Sequence, residues 1–247
     1  MTYSQPEHGF ADIHTHILPG VDDGAKDMTE AMALLRMAYN NGTKTVFLTP
    51  HYRGQYKKYT PEDLQQAFWA LTQTVQREMP DLELYLGNEI CYEQEVPDGL
   101  RTDRILSMNG SRYCLLEFYP MSLRSQVLSA VSSVRNAGYL PIIAHVERNN
   151  CFLQDSALVD EVLHMGALLQ LNADSIMNAN GRAVSGFCRQ LLRSGNVHFV
   201  ATDAHDCVKR TPILKECFQW VSRKYGQAYA SMLFSENARA VIEDREI

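Results

Sequence analysis

The chain has 247 residues, 45% hydrophobic and 21% charged, which is the balance of an ordinary globular protein and excludes a disordered one. The net charge is −6, from 29 acidic and 23 basic side chains, and no Lys/Arg block forms the basic face that duplex binding needs, so no nucleic-acid partner is expected. No apolar run reaches the roughly 18 residues of a membrane span, so no direct membrane insertion is expected. The start MTYSQPEHGF has neither a basic n-region nor an apolar h-region and reads as no signal peptide. The six cysteines, Cys91, Cys114, Cys151, Cys188, Cys207 and Cys217, form no C-x-x-C pair and read as reduced thiols of a cytoplasmic protein.

In chain order, β-rich apolar runs predict strands over Phe10–His14, Thr45–Leu48, Glu83–Leu86, Tyr113–Glu117, Leu140–Ala144, Ala167–Leu171 and His198–Ala201. Helical patterns lie between them. Asp27 to Glu30 reads as a capping box and Gly42 as the stop of the helix it opens. Thr60-Pro61 opens the next, with Leu64, Phe68, Leu71 and Val75 on one face. Further helices are predicted over Ser125–Ala137, Ser156–Met165, Arg182–Arg193 and Pro212–Tyr225, with a last turn or two in Glu236–Ile242. Seven strands alternating with helices argue a parallel sheet with helical crossovers, either an open doubly wound sheet or a closed barrel. No linker, low-complexity tract or repeat divides the chain, and residues 1–247 read as one domain.

Five of the eight histidines stand at or just past a predicted strand end: His14, His16, His51, His145 and His205. The acids Glu89, Glu117 and Asp203 occupy the same kind of position, and Asp23 lies in the loop LPGVDDG after His16. Parallel α/β folds carry their sites on the face where the strands end. His14-Thr15-His16 places two imidazoles on one side of a strand, and Asp203-Ala204-His205 repeats the spacing with an acid. Imidazole with carboxylate suits zinc, manganese or iron better than calcium. Asp22 competes with Asp23 for its place. His8, in the unstructured start, His164, near a helix end, and His198, at a strand start, are assigned to structure or surface.

The pieces DIHTHILPGVDDG, TPHYR, GNEI, LLEF, PIIAHVER and TDAH-x4-RTP, in this order from about Phe10 to Pro212, resemble the polymerase-and-histidinol-phosphatase (PHP) superfamily. Within it they are most similar to the bacterial tyrosine-protein phosphatases of capsule and exopolysaccharide operons, the CpsB/YwqE type. The resemblance implies a distorted (β/α)7 TIM-like barrel with a cleft for three divalent ions, commonly manganese, with iron or zinc as alternatives, at the C-terminal ends of the strands. It assigns His14, His16, Glu89 and Asp203 to one ion, Glu89, Glu117 and His145 to a second, and Asp23, His51 and His205 to a third. It also implies that Arg148 and Arg210 hold the phosphoryl group and that the partner is a phosphotyrosine-bearing bacterial tyrosine kinase with a tyrosine-rich tail; the mechanism expected at such a site is attack of a metal-bound hydroxide on phosphorus. Val146 and Asn149 depart from the proline and aromatic often found around the Glu-Arg motif.

The four acids carry four negative charges against six positive on three divalent ions, leaving a surplus that matches a phosphate monoester. The segment Tyr52–Tyr59, basic and aromatic, reads either as a docking loop for acidic phosphotyrosine segments or as a plain solvated loop. Cys217-x5-Arg223 matches the C-x5-R of thiol phosphatases, yet holds no glycine for a phosphate cradle and looks like mid-helix. The alternatives are a PHP phosphatase for a small molecule such as histidinol phosphate, a nuclease, an amidohydrolase, for which a bridging lysine at a strand end is lacking, and a non-catalytic regulator of the kinase.

Overall fold

The computed structural model describes residues 4–247. Nine strands are present among them: β1 (Phe10–Thr15), β2 (Thr43–Leu48), β3 (His51–Tyr52), β4 (Glu83–Leu86), β5 (Glu89–Cys91), β6 (Tyr113–Glu117), β7 (Leu140–Ile143), β8 (Leu168–Asn172) and β9 (Phe199–Ala201). Every pairing is parallel, in the orders β1-β2-β4 and β3-β5-β6-β7-β8-β9. The two sheets are one ring. β3 resumes β2 after Thr49-Pro50, and β5 resumes β4 after Gly87-Asn88. The other seam is bridged between Thr15 and Ala204, with Asp203 N–H donating to the His14 carbonyl at 2.9 Å and His16 N–H to the Ala204 carbonyl at 2.8 Å. Counting β2/β3 and β4/β5 as single staves, seven staves return to their start, the distorted (β/α)7 barrel expected.

The breaks have local causes. Pro50 has no N–H to give the ladder, so β2 cannot run on through it. Asn88 patches the gap, donating from its amide to the Pro50 carbonyl at 3.0 Å and accepting from Leu106 N–H at 2.9 Å. Both breaks lie just before a site residue, His51 and Glu89. The two short strands that follow them were too brief to show as apolar runs.

The helices are α1 (Met28–Asn41), α2 (Pro61–Glu78), α3 (Val96–Arg101), α4 (Arg124–Asn136), α5 (Asn150–Gln154), α6 (Ser156–His164), α7 (Ala173–Ile176), α8 (Arg182–Ser194), α9 (Lys215–Tyr225), α10 (Gln227–Ser231) and α11 (Asn237–Ile242). Asp27 caps α1 by accepting from Thr29 and Glu30 N–H, and Gly42 ends it at φ 104°. Glu30 reaches Lys26 N–H at 3.0 Å, so the reciprocal half of the expected capping box falls one residue earlier. Thr60 and Asp63 form a full box at the start of α2, with Pro61 at its first position. α9 starts at Lys215, three residues past the predicted Pro212. α10, with the π-helical turn Met232–Glu236 after it, went unread because it joins the predicted last turn into one longer bent segment.

Side chains alternate between the barrel axis and the surrounding helices. On β8, Leu169 and Leu171 pack outward with Val162 and Leu191, while Leu168 packs inward with Phe199. The axis is apolar below the basin, where Phe47, Tyr113, Ile142 and Phe199 belong to one buried cluster. It turns polar at the strand ends, where His14, Gln170, Asn172 and Glu89 are buried. The core thus forms a floor beneath a polar basin.

His8 is exposed, and His164 closes α6 with its ring on the Asp160 carbonyl. His198 is half-buried, its Nδ1 accepts from Leu169 N–H at 3.2 Å, and burial pushes its pKa from 6.5 down to about 4. The fold therefore favours neutral His198. Between about pH 6.5 and 4 the unfolded chain binds more protons here, so stability is lost as pH falls through that window. His198→Asn keeps an acceptor without the titration. Urea unfolding of the two proteins should show the variant losing less stability between pH 7 and pH 4, by on the order of 2 kcal/mol; parallel pH profiles would contradict the assignment.

Candidate metal centre

The polar basin gathers every histidine and acid expected there. His14 and His16 leave the end of β1 with their Nε2 atoms 3.3 Å apart. Glu89, the first residue of β5, lies between them, Oε1 at 3.2 Å from His14 Nε2 and Oε2 at 3.1 Å from His16 Nε2. Asp203 Oδ1 stands 3.5 and 3.4 Å from the same two nitrogens. These four form one tight group. His145 Nε2 reaches Glu89 Oε1 at 2.7 Å and Glu117 Oε1 at 3.9 Å, a second group built on a shared Glu89. Asp23 Oδ1 lies 3.3 Å from His51 Nε2 and 3.5 Å from His205 Nε2, a third. The His51 ring sits between groups, since its Nδ1 faces Glu89 Oε2 at 2.7 Å. Apart from Asp23 and Glu117, all nine residues are buried.

Two of these residues hold unusual backbone. His145 (φ 30°) and Asp203 (φ 55°) are non-glycine residues in the left-handed region. Such strain persists where surrounding contacts over-determine it. At His145, the backbone N–H donates to Gln170 Oε1 at 2.9 Å and a single 3-10 turn, Val146–Arg148, follows. At Asp203, the seam hydrogen bond to His14 holds the backbone.

A second layer fixes the rings. Gln170 Oε1 also faces His14 Nδ1 at 3.1 Å, which leaves Nε2 as the lone-pair nitrogen toward the basin. The Gln170 amide donates to Asn172 Oδ1 at 2.7 Å, and the Asn172 amide donates to Asp203 Oδ2 at 3.1 Å. Buried Glu147 accepts from Asn172 N–H at 3.1 Å, completing the chain of contacts beneath the site. Gln170 and Asn172 carried no motif in the sequence, and Glu147 stood in PIIAHVER without an assigned role. Their inward register on and beside β8 was the signal available.

Asp22 and Asp23 diverge. Asp22 turns away from the basin, its Oδ2 at 2.6 Å from His16 Nδ1 and accepting from His51 N–H at 3.1 Å. Burial works against its charge, but His16 and the Gly24 N–H outweigh it and lower the carboxyl. Asp23 faces the basin. Gly24 permits the turn, because a Cβ there would lie 1.8 Å from the His16 carbonyl oxygen.

Electrostatics follow from the crowding. Burial disfavours charge on Glu89 and Asp203, yet the neighbouring imidazoles outweigh it and hold both carboxyls well below the ordinary range. Glu117 goes the other way, raised by burial and by Glu89. Arg148 Nη1 donates to Asp203 Oδ2 at 2.6 Å, and Arg210 pairs with the same oxygen. A third guanidinium, missed as a site residue, is Arg53: it donates to both Glu117 oxygens at 3.0 and 3.1 Å and meets His51 Nε2 at 2.9 Å. Its signal was its place two residues after His51. The rest of its segment is a 3-10 turn, Gly54–Lys58, in which Lys57 pairs with Glu93 and Glu95 and Tyr56 stacks on His51.

The donor set fits divalent ions. His51 Nδ1, Glu89 Oε2 and His205 Nε2 are buried without an aligned hydrogen-bond partner, and all three point into the basin. Four overlapping sets of three or four ligand atoms lie within mutual reach: His16/Asp23/His51/His205, His14/His16/Glu89, His14/His145/Asp203 and His51/Glu89/Glu117. Nitrogen and oxygen donors without thiolate match manganese, iron or zinc. The thiol alternative fails on geometry: Cys217 lies in α9, buried in the core with its thiol pushed up by burial, and no phosphate cradle surrounds it.

The sequence matches the family model described as capsular polysaccharide synthesis, CpsB/CapC, over residues 10–243. It is 30% identical over 243 residues to a tyrosine-protein phosphatase CpsB of Streptococcus agalactiae, covering 96% of this chain and 99% of the relative. It is 30% identical over 236 residues to the tyrosine-protein phosphatase YwqE of Bacillus subtilis, covering 96% and 92%. Its structure superposes with a TM-score of 0.90, at 30% identity and 96% of each chain, on a solved structure from work on YwqE of Bacillus subtilis and CpsB of Streptococcus pneumoniae, described there as metal-dependent tyrosine phosphatases. With nearly the whole length matched and the basin intact, the chain belongs to the CpsB/CapC family of capsular polysaccharide synthesis.

Proposed function

We propose that this chain is a metal-dependent protein-tyrosine phosphatase, a hydrolase acting on phosphotyrosine in a protein, carried by a single domain over residues 1–247. The observation that carries the reading is the convergence of five imidazoles and four carboxylates in one basin with three arginines at its rim. Full-length likeness to relatives named tyrosine-protein phosphatases gives it its substrate class. The physiological partner we propose is a bacterial tyrosine kinase of capsule or exopolysaccharide synthesis, met in the cytoplasm. No helix among the described residues is long and apolar enough to cross a membrane.

In this reading His14, His16, Glu89 and Asp203 hold one divalent ion, Glu89, Glu117 and His145 a second, and Asp23, His51 and His205 a third, with manganese the first candidate. Such ions supply Lewis-acid charge to phosphoryl oxygens and acidify a water toward neutrality. The protein does the rest. Arg148 and Arg210 present planar N–H forks from one side of Asp203, a geometry suited to phosphoryl oxygens. Arg53 presents a third at Glu117. The departing phenol has a pKa near 10 and needs little help to leave. Asp22, Gln170 and Asn172 act as positioning residues for His16, His14 and Asp203.

The test is direct. His14→Ala with His16→Ala should abolish hydrolysis of phosphotyrosine peptide and lower bound metal measured by elemental analysis; undiminished activity would remove the metal reading. A chelator should stop turnover, whereas thiol alkylation should leave it largely intact, since only Cys207 and Cys151 are accessible. The adjacent aspartates should separate. Asp23→Asn should cost an equivalent of bound ion, while Asp22→Asn should keep the ion count and weaken affinity about 10- to 100-fold in calorimetry. Equal ion loss in both would contradict their division of labour. Histidinol phosphate turned over faster than phosphotyrosine peptide would replace the substrate class.

A further inference from the structure

The loop after β6 exposes an apolar surface beside the metal basin, whose one side-chain hydrogen bond to the fold is from the Asn150 amide to Met121 Sδ at 3.0 Å. It reads Phe118-Tyr119-Pro120-Met121-Ser122-Leu123 and begins one residue past Glu117. Phe118 is buried, but Tyr119, Met121 and Leu123 are 55%, 77% and 64% exposed. Of the eight large hydrophobic side chains exposed among the described residues, these three fall within five positions of one loop.

The loop is rigid. Ser122 N–H donates to the Tyr119 carbonyl at 2.9 Å, closing a turn. Asn149 donates from its amide to the same carbonyl at 3.0 Å, and Asn150 N–H donates to the Pro120 carbonyl at 3.0 Å. Leu123 N–H is taken by Gln126 Oε1 at 2.7 Å at the start of α4. Asn149 and Asn150 directly follow Arg148, so the loop is tied to the rim of the basin from both ends. A backbone held by these bonds has little freedom left to lose when a partner covers the loop.

We propose that Tyr119, Met121 and Leu123 form a shelf for large apolar or aromatic side chains flanking the phosphotyrosine of a protein substrate. This rests on the phosphatase reading above. A phosphotyrosine reaches the buried basin only if its peptide crosses the rim, and the shelf is continuous with that rim through Glu117 and Arg148. The charge around it argues for apolar rather than acidic neighbours. Arg124, the cation beside Leu123, is paired with Asp155 at 2.6 Å and with Glu161 at 2.5 Å. At the ends of the neighbouring strands, Arg53 and Lys57 are held by Glu117, Glu93 and Glu95. Methionine and tyrosine together offer a polarizable, adaptable surface on which aromatic rings pack well.

The experiment uses the manganese-loaded enzyme, Met121→Ser with Leu123→Ser, and three substrates: a phosphotyrosine peptide flanked by Leu and Phe, its Ser-flanked counterpart, and para-nitrophenyl phosphate. Neither substituted residue touches the basin, and thermal melts check the fold. Wild type should show a KM about tenfold lower for the apolar-flanked peptide. The double variant should lose that preference while its kcat/KM for para-nitrophenyl phosphate stays unchanged. A preference absent from wild type, or surviving in the variant, overturns the shelf. So does a lost preference accompanied by dissociation of an oligomer in sedimentation, which would make the patch a contact between copies. Hydrolysis of all three substrates with flat preference removes the shelf alone; hydrolysis of none removes the phosphatase reading and the shelf with it.

Discussion

Four carboxylates confined with five imidazoles at the mouth of a closed parallel barrel set the terms for the rest of this structure. Water cannot solvate most of these groups, so their charge has to be met by one another or by cations. Glu89 is the pivot, with His14, His16, His51 and His145 all within 3.2 Å of its two oxygens. The ring of seven staves exists to hold that arrangement. Parallel strands end on one face, so residues scattered from position 14 to position 205 arrive at one place.

Two kinds of cation suit the same carboxylates. The arginines reach them from the rim, Arg148 and Arg210 at Asp203 and Arg53 at Glu117. Divalent ions suit the atoms that face the interior, His14 and His16 Nε2, Glu89 and Asp203 Oδ1. Asp203 shows the division within one side chain, Oδ1 turned to the histidines and Oδ2 to the arginines. Guanidinium groups that pair with carboxylate oxygens carry the same N–H forks that suit phosphoryl oxygens.

Much of this was legible before any coordinates. β4 and β6 run over the residues their apolar runs marked, and Thr60 and Gly42 cap the helices they were read to cap. The histidines and acids at strand ends needed only the parallel topology to be brought together. What stayed hidden depends on register and side-chain direction. Asp22 and Asp23 are identical in type and adjacent, and only the backbone turn at Gly24 sends one behind His16 and the other into the basin. Gln170 and Asn172 look like ordinary strand residues until the barrel turns them inward. β3 and β5 are two and three residues long because Pro50 and Asn88 interrupt their staves, too short for any periodicity to show.

Anomalous diffraction from crystals of the manganese-loaded protein tests the central claim most directly. The account predicts peaks inside the basin: one among His14, His16, Glu89 and Asp203, one among Glu89, Glu117 and His145, and one among Asp23, His51 and His205. A basin without peaks, or peaks seated away from these side chains, would contradict it.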